Sequence, residues 1–253
     1  MKIAFYQQDI VWEDTKANLN KVKKAASTLN EDTGLFILPE MFHAGFTMNP
    51  GKVAEPMDGQ VVTFLKDLAS EHNMSVIGSA VISENGKNYN RLLVVSPDGK
   101  VEKYDKRHLF SVGGEDRNYQ PGRERIVTSV KDVRILPLIC YDLRFPVWSR
   151  QRNDYDLLIY IANWPASRSE VWKTLLKARA IENQCYVIGV NRVGRDETIT
   201  YSGDSMVIDA RGRVITDAKD DEGVFYADTD MNELKAFREK FPVWKDADRF
   251  TIL

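Results

Sequence analysis

Apolar residues in this chain fall into two rhythms. Short unbroken runs at residues 35–38, 135–139 and 157–161 predict strands buried on both faces. Between them, Leu19, Val22, Ala26 and Leu29, then Val62, Leu65, Leu68 and Ala69, then Val171, Leu175, Ala178 and Ile181, recur at helical spacing. With a strand at 3–6, Asp14-Thr15 capping the first helix and a strand at 74–81, the chain begins β-α-β-α-β. The rhythm then changes. Asn85-Gly86 predicts a hairpin between strands at 79–81 and 89–95, and Pro97-Asp98-Gly99 a second turn before a strand at 101–105, so the sheet holds antiparallel as well as parallel pairs. The second half repeats the mixed pattern. A short helix finishes over 148–152, a strand runs over 185–190, a hairpin joins 205–208 to 214–216, a strand covers 224–227 and a charged helix covers 232–241.

Three predicted strands end in reactive side chains. Pro39 halts the run at 35–38 and Glu40 follows, leading into Met41-Phe42-His43-Ala44-Gly45-Phe46, an apolar loop able to desolvate a carboxylate and raise its proton affinity. The strand at 101–105 ends in Lys106-Arg107-His108, and the run at 135–139 delivers Cys140. Strand C-terminal ends are where α/β sheets bind ligands. A free cysteine usually just packs, but a thiol, a carboxylate and a fixed cation together make up nucleophilic acyl transfer. The ammonium and the basic carboxylate are also what would deliver thiolate from a thiol of ordinary pKa, near ~8.5. Residues 111–125 form a long loop carrying Gly113, Gly114, Pro121 and Gly122, and its Glu115 and Asp116 can reach such a site. Cys185, among Tyr186 and Val187, reads as core.

Composition narrows the partners. The chain has 253 residues, 43% apolar and 28% charged, with a net charge of -2 and no basic stripe, so no nucleic-acid partner is expected. No run approaches the ~18 apolar residues of a membrane span. Two cysteines and no signal-like N-terminal run point to the cytoplasm, and three scattered histidines give no zinc-ligand spacing, so no metal is expected. The whole of 1–253 reads as one domain. Its last stretch, 242–253, keeps Trp244, Phe250 and Leu253, more apolar than a free tail, which points to packing at a dimer interface.

Leu38-Pro39-Glu40-Met41-Phe42, Tyr104-Asp105-Lys106-Arg107-His108-Leu109-Phe110 and Ile139-Cys140-Tyr141-Asp142-Leu143-Arg144-Phe145-Pro146 together resemble the nitrilase superfamily of carbon-nitrogen hydrolases. Asn163-Trp164-Pro165 and residues 177–184 extend the resemblance, which is closest to its bacterial omega-amidase, or 2-oxoglutaramate amidase, branch. It implies an α-β-β-α sandwich with mixed sheets, pairing as a homodimer, with Glu40, Lys106 and Cys140 as catalytic triad and no cofactor. Glu115 matches the family's second glutamate, with Asp116 one residue away as the alternative. Attack by Cys140 on an amide carbon would place the oxyanion at Lys106 and the Tyr141 N–H. Arg144, four residues past the nucleophile, suits the far carboxylate of a 2-oxo dicarboxylic acid monoamide, and Phe46, Tyr141 and Trp164 suit the pocket wall.

The expected reaction is hydrolysis of the terminal amide of 2-oxoglutaramate or 2-oxosuccinamate to the dicarboxylate and ammonia. The alternatives are another hydrolase of the same scaffold acting on carbamoyl groups, aliphatic amides or nitriles, and a non-catalytic binding protein. The triad residues do not separate the hydrolases from one another; the pocket does.

Overall fold

The computed structural model describes residues 1–248 and 250–252. Its first half runs β1 (Lys2–Gln7), α1 (Thr15–Ala26), β2 (Leu35–Ile37), the single turn α2 (Pro50–Val53), α3 (Gln60–Glu71), β3 (Ser75–Glu84), β4 (Lys87–Val95) and β5 (Val101–Asp105). The second runs β6 (Thr128–Val130), β7 (Val133–Ile139), α4 (Pro146–Ser149), β8 (Leu157–Ile161), α5 (Ser169–Asn183) and β9 (Tyr186–Val190). A small ribbon of β10 (Val193–Arg195) and β11 (Thr200–Ser202) follows, then β12 (Met206–Ile208), β13 (Val214–Asp217), β14 (Gly223–Asp228) and α6 (Met231–Lys240).

Two six-stranded mixed sheets result, ordered β14-β1-β2-β3-β4-β5 and β13-β12-β9-β8-β7-β6. Each has three adjacent parallel strands, β1-β2-β3 or β7-β8-β9, extended by two antiparallel strands and closed at the other edge by one more, β14 or β6. Inner faces meet in one core, where Ile3, Phe5, Ile37, Ile77 and Leu92 join Ile135, Ile139 and Ile159, while Leu138 and Tyr160, in register with Gly189, face α5 on the other side. The first sheet's outer face carries Ala4, Phe36, Leu38, Val76 and Leu93 against Leu19 and Val22 of α1 and Val62 and Leu65 of α3. The layers are therefore α-β-β-α. The Asn85-Gly86 turn takes positive φ at both residues, 54° and 72°, the geometry a two-residue hairpin requires.

Three expectations change. Leu29 lies beyond the end of α1 at Ala26, and the helix expected to finish over 148–152 ends at Ser149. More informative is α5, which buries Trp172, Leu176, Ala180 and Asn183, leaving Val171, Leu175 and Ala178 half-buried and Ile181 50% exposed. The face that packs on the sheet is set by Gly189 of β9, where an added Cβ would lie 2.4 Å from Leu176 and 2.7 Å from Trp172. The short α2, β6, β10 and β11 carry too few residues to show a periodicity.

Among the described residues no helix is long and apolar enough to cross a membrane. Beyond α6, a turn at Val243–Asp246 brings the chain back beside Val147, Arg150 and Glu182, and the Arg152 guanidinium lies 4.9 Å over the Phe250 ring. Leu253 falls outside the described residues.

Candidate active site

Glu40, Lys106, Glu115 and Cys140 converge where β2, β5 and β7 end. Glu40 is fully buried, and its carboxylate accepts from Lys106 Nζ at 2.8 Å, Asn90 Nδ2 at 2.7 Å and the Asn163 N–H at 2.8 Å. Asn163 Nδ2 also holds the Glu40 carbonyl, at 2.5 Å, so one asparagine at the end of β8 fixes both ends of the residue. Met41, next in sequence, takes φ 45° and donates its N–H to Ser79 Oγ.

Lys106 is buried between two acids. Its Nζ lies 3.0 and 2.9 Å from the two oxygens of Glu115, and its backbone is held by Asn90 O and the Gly122 N–H. Only glycine fits at 122, because a Cβ there would sit 2.1 Å from Asp105 O. Burial opposes the charge on Lys106, but Glu115 and Glu40 outweigh it and move its pKa up. Burial raises Glu115, with Lys106 pulling it down and Glu40 pushing it up. Glu115 oxygens also accept the Phe110 N–H at 2.6 Å and Asn90 Nδ2 at 3.2 Å. Asn90 thus bridges the two acids.

Cys140 opens the 3-10 turn Cys140–Arg144 with φ 44°, a left-handed conformation that costs a non-glycine residue on the order of 1–3 kcal/mol. The buried carboxylate of Asp142 holds the turn, accepting the Ile139 N–H, the Tyr104 hydroxyl, and the N–H and Nδ1 of His108 at 2.7–3.0 Å. The thiol pKa is driven well up, first by burial, then by Glu40, against Lys106, with Glu115 and a hydrogen bond to Glu40 adding to the rise. Burial and the two carboxylates together outweigh Lys106 and favour the protonated thiol, so delivery of thiolate falls to Glu40 as base.

Cys140 lies in a cavity of about 320 Å³ that Phe46, Tyr141, Arg144 and Trp164 also line. All eight residues singled out from the sequence therefore meet in one region. Lys106 Nζ lies 4.9 Å over the Phe46 ring, and the Arg144 guanidinium 5.2 Å over Trp164. Asp116, the alternative to Glu115, is exposed. Sequence reasoning missed Asn90, Asp142 and Asn163, and also Arg168, Trp12 and Tyr201 of the cavity wall. Asn163 stands at a strand edge already singled out, which was the available signal.

The profile of the carbon-nitrogen hydrolase family matches residues 2–239. The chain is 44% identical to the omega-amidase YafV of Escherichia coli over 100% of this chain and 98% of that protein. It is 32% identical to a 2-oxoglutaramate amidase of Bacillus subtilis, over 96% of each. The crystal structure of a CN-hydrolase superfamily protein from Xanthomonas campestris, with an arsenic adduct in its active site, matches with a TM-score of 0.97 at 39% identity, over 100% of this chain and 99% of that one. With a profile spanning nearly its full length and an α-β-β-α sandwich in common with such relatives, the chain belongs to the carbon-nitrogen hydrolase family, the nitrilase superfamily.

Proposed function

We propose that the protein is a thiol amidohydrolase that cleaves the terminal amide of 2-oxo dicarboxylic acid monoamides, 2-oxoglutaramate and 2-oxosuccinamate, to the dicarboxylate and ammonia. The observation that carries the chemistry is Cys140 lining a cavity at the end of β7, where the buried Lys106 lies between the carboxylates of Glu40 and Glu115. Full-length likeness to proteins named omega-amidase supports the substrate class.

In this reading Glu40 takes the thiol proton as sulfur attacks the amide carbon. The thiolate forms only in the act of attack, because burial and two carboxylates oppose its standing charge. The oxyanion is met by the fixed positive charge of Lys106 and by the Tyr141 N–H, which in the first turn of its helix has no intrahelical acceptor. Glu40 returns its proton to the leaving nitrogen and ammonia departs. It then removes a proton from water, which attacks the thioester, and the proton finally restores the thiol. Glu115 keeps Lys106 in place, and Arg144 receives the far carboxylate.

The reading treats residues 1–253 as one domain working in the cytoplasm, where a thiol nucleophile stays reduced; both cysteines, Cys140 and Cys185, are free. It also pairs two copies as a homodimer, with 242–253 packed at the interface. Ammonia release from 2-oxoglutaramate by wild type beside Cys140→Ala tests the chemistry, with mass spectrometry following acylation of Cys140. Release abolished in the variant is expected. Adduct formation only with other amides or nitriles would replace the substrate, and neither release nor adduct would overturn the hydrolase.

A further inference from the structure

Arg168 is the last residue of a 3-10 turn, Ala166–Arg168, that runs into α5, and its side chain lines the same cavity as Cys140 and Arg144. Its guanidinium lies 5.4 Å over the Phe110 ring, as that of Arg144 lies 5.2 Å over Trp164. Both rings are themselves fixed. Phe110 packs edge-on against Tyr141 at 5.1 Å and its N–H is held by Glu115, while the Trp164 indole donates to the Arg168 carbonyl at 2.9 Å. Trp164 thus carries one arginine on its face and ties down the backbone of the other.

Neither guanidinium makes an ion pair or hydrogen bond among the described residues, whereas Arg91, Arg134, Arg179, Arg213 and Arg238 each hold a carboxylate. Two acids share the cavity wall but do not neutralise the arginines. Asp196 spends its oxygens on the Thr198 and Ile199 N–H groups and the Tyr201 hydroxyl, and Glu197 is exposed to solvent. Stacking on a ring face orients a guanidinium and leaves its edge donors free, the state in which an arginine fork receives a carboxylate. A 2-oxo acid presents three oxygens at its far end, two on the carboxylate and one on the ketone. One fork takes two of them.

We propose that Arg168 is a second specificity-determining residue, reading with Arg144 the far 2-oxo carboxylate of the amide substrate. This rests on the hydrolysis of carboxylate-tailed amides proposed above. It explains why the 3-10 turn after the Asn163-Trp164-Pro165 corner places a cation on an aromatic ring in the cavity wall rather than in solvent.

The test compares wild type, Arg168→Ala and Arg168→Lys on 2-oxoglutaramate, glutaramate and the neutral pentanamide. Loss of a fork to a charged partner raises KM for the two carboxylate substrates about ten- to a hundredfold in Arg168→Ala, with kcat little changed. Turnover of pentanamide stays as in wild type, which also reports that the variant is folded. Arg168→Lys restores part of the loss. A preference for glutaramate over pentanamide that is undiminished in Arg168→Ala overturns the inference and leaves the amidase reading standing, as does an equal loss on all three substrates. A wild-type enzyme that does not distinguish glutaramate from pentanamide overturns both.

Discussion

Glu115 holds Lys106 with both oxygens and at the same time adds to the negative field that keeps the Cys140 thiol protonated. Removing its charge has two opposite consequences. In Glu115→Gln the thiol loses one of the groups that raise its pKa, so its reaction with iodoacetamide shifts to lower pH. Lys106 loses its bidentate partner, and turnover falls by about tenfold or more as the oxyanion donor becomes poorly placed. A fall in turnover with no movement of the alkylation profile would show that Glu115 does not act through the field at Cys140. Glu40, the lysine and the thiol were legible in sequence because each follows a strand that announces itself, and Glu115 because it lies in a long loop matching the family's second glutamate. Asn90 and Asn163 were not, since their shared partner, Glu40, lies 50 and 123 positions away from them and a single polar residue in or beside a strand has no pattern of its own.

At the scale of elements, the long strands and helices were readable because burial on two faces or on one stripe leaves a periodic trace. The register of α5 was not, because its side toward the sheet is chosen by a glycine on another strand, and its apolar residues run round more than one face. The loop after β2 shows how tertiary bonds fix a segment that has no periodicity. His43 is fully buried there; its Nε2 accepts the Val81 N–H at 3.1 Å, and Nδ1 lies 3.2 Å from the Thr15 hydroxyl. With Nε2 an acceptor, the neutral ring carries its proton on Nδ1, and a second proton would break the bond to β3. Burial lowers the pKa from 6.5 to about 4. The folded state therefore binds fewer protons than the unfolded chain between these values. The contribution of neutral His43 is complete above pH 6.5 and is lost as pH falls toward 4, by on the order of 3 kcal/mol. Urea midpoints measured from pH 4.5 to 7.5 are expected to fall on the acid side in wild type. In His43→Gln, whose amide oxygen can still accept from Val81, that part of the slope disappears; an unchanged slope would mean that carboxylates alone cause it.

On the molecular surface, the residues that α5 and the tail leave uncovered lie together. Ile181 is 50% exposed, Val147 52% and Phe241 59%. Two shallow grooves link them: Ile181 and Phe241 line one, Val147 and Phe250 the other, and Arg150 and Glu182 belong to both. A contiguous apolar region framed by an arginine and a glutamate is the composition of a protein interface, and here it includes Val243 and Phe250 of the tail that the sequence marked as too apolar to be free. A two-fold interface would bring each copy's α5 and tail against the same elements of the other. That accounts for Ile181 facing outward on a helix whose opposite side packs on the sheet. Under the proposed homodimer, size-exclusion chromatography with light scattering gives twice the chain mass for wild type. Ile181→Arg places two like charges at the centre of the contact, and truncation after Phe241 removes its edge. Each shifts the protein toward monomer, and the melting temperature becomes independent of protein concentration. If Ile181→Arg leaves the mass and the concentration dependence unchanged, the two copies meet elsewhere, and the apolar groove is covered by the chain's own tail alone.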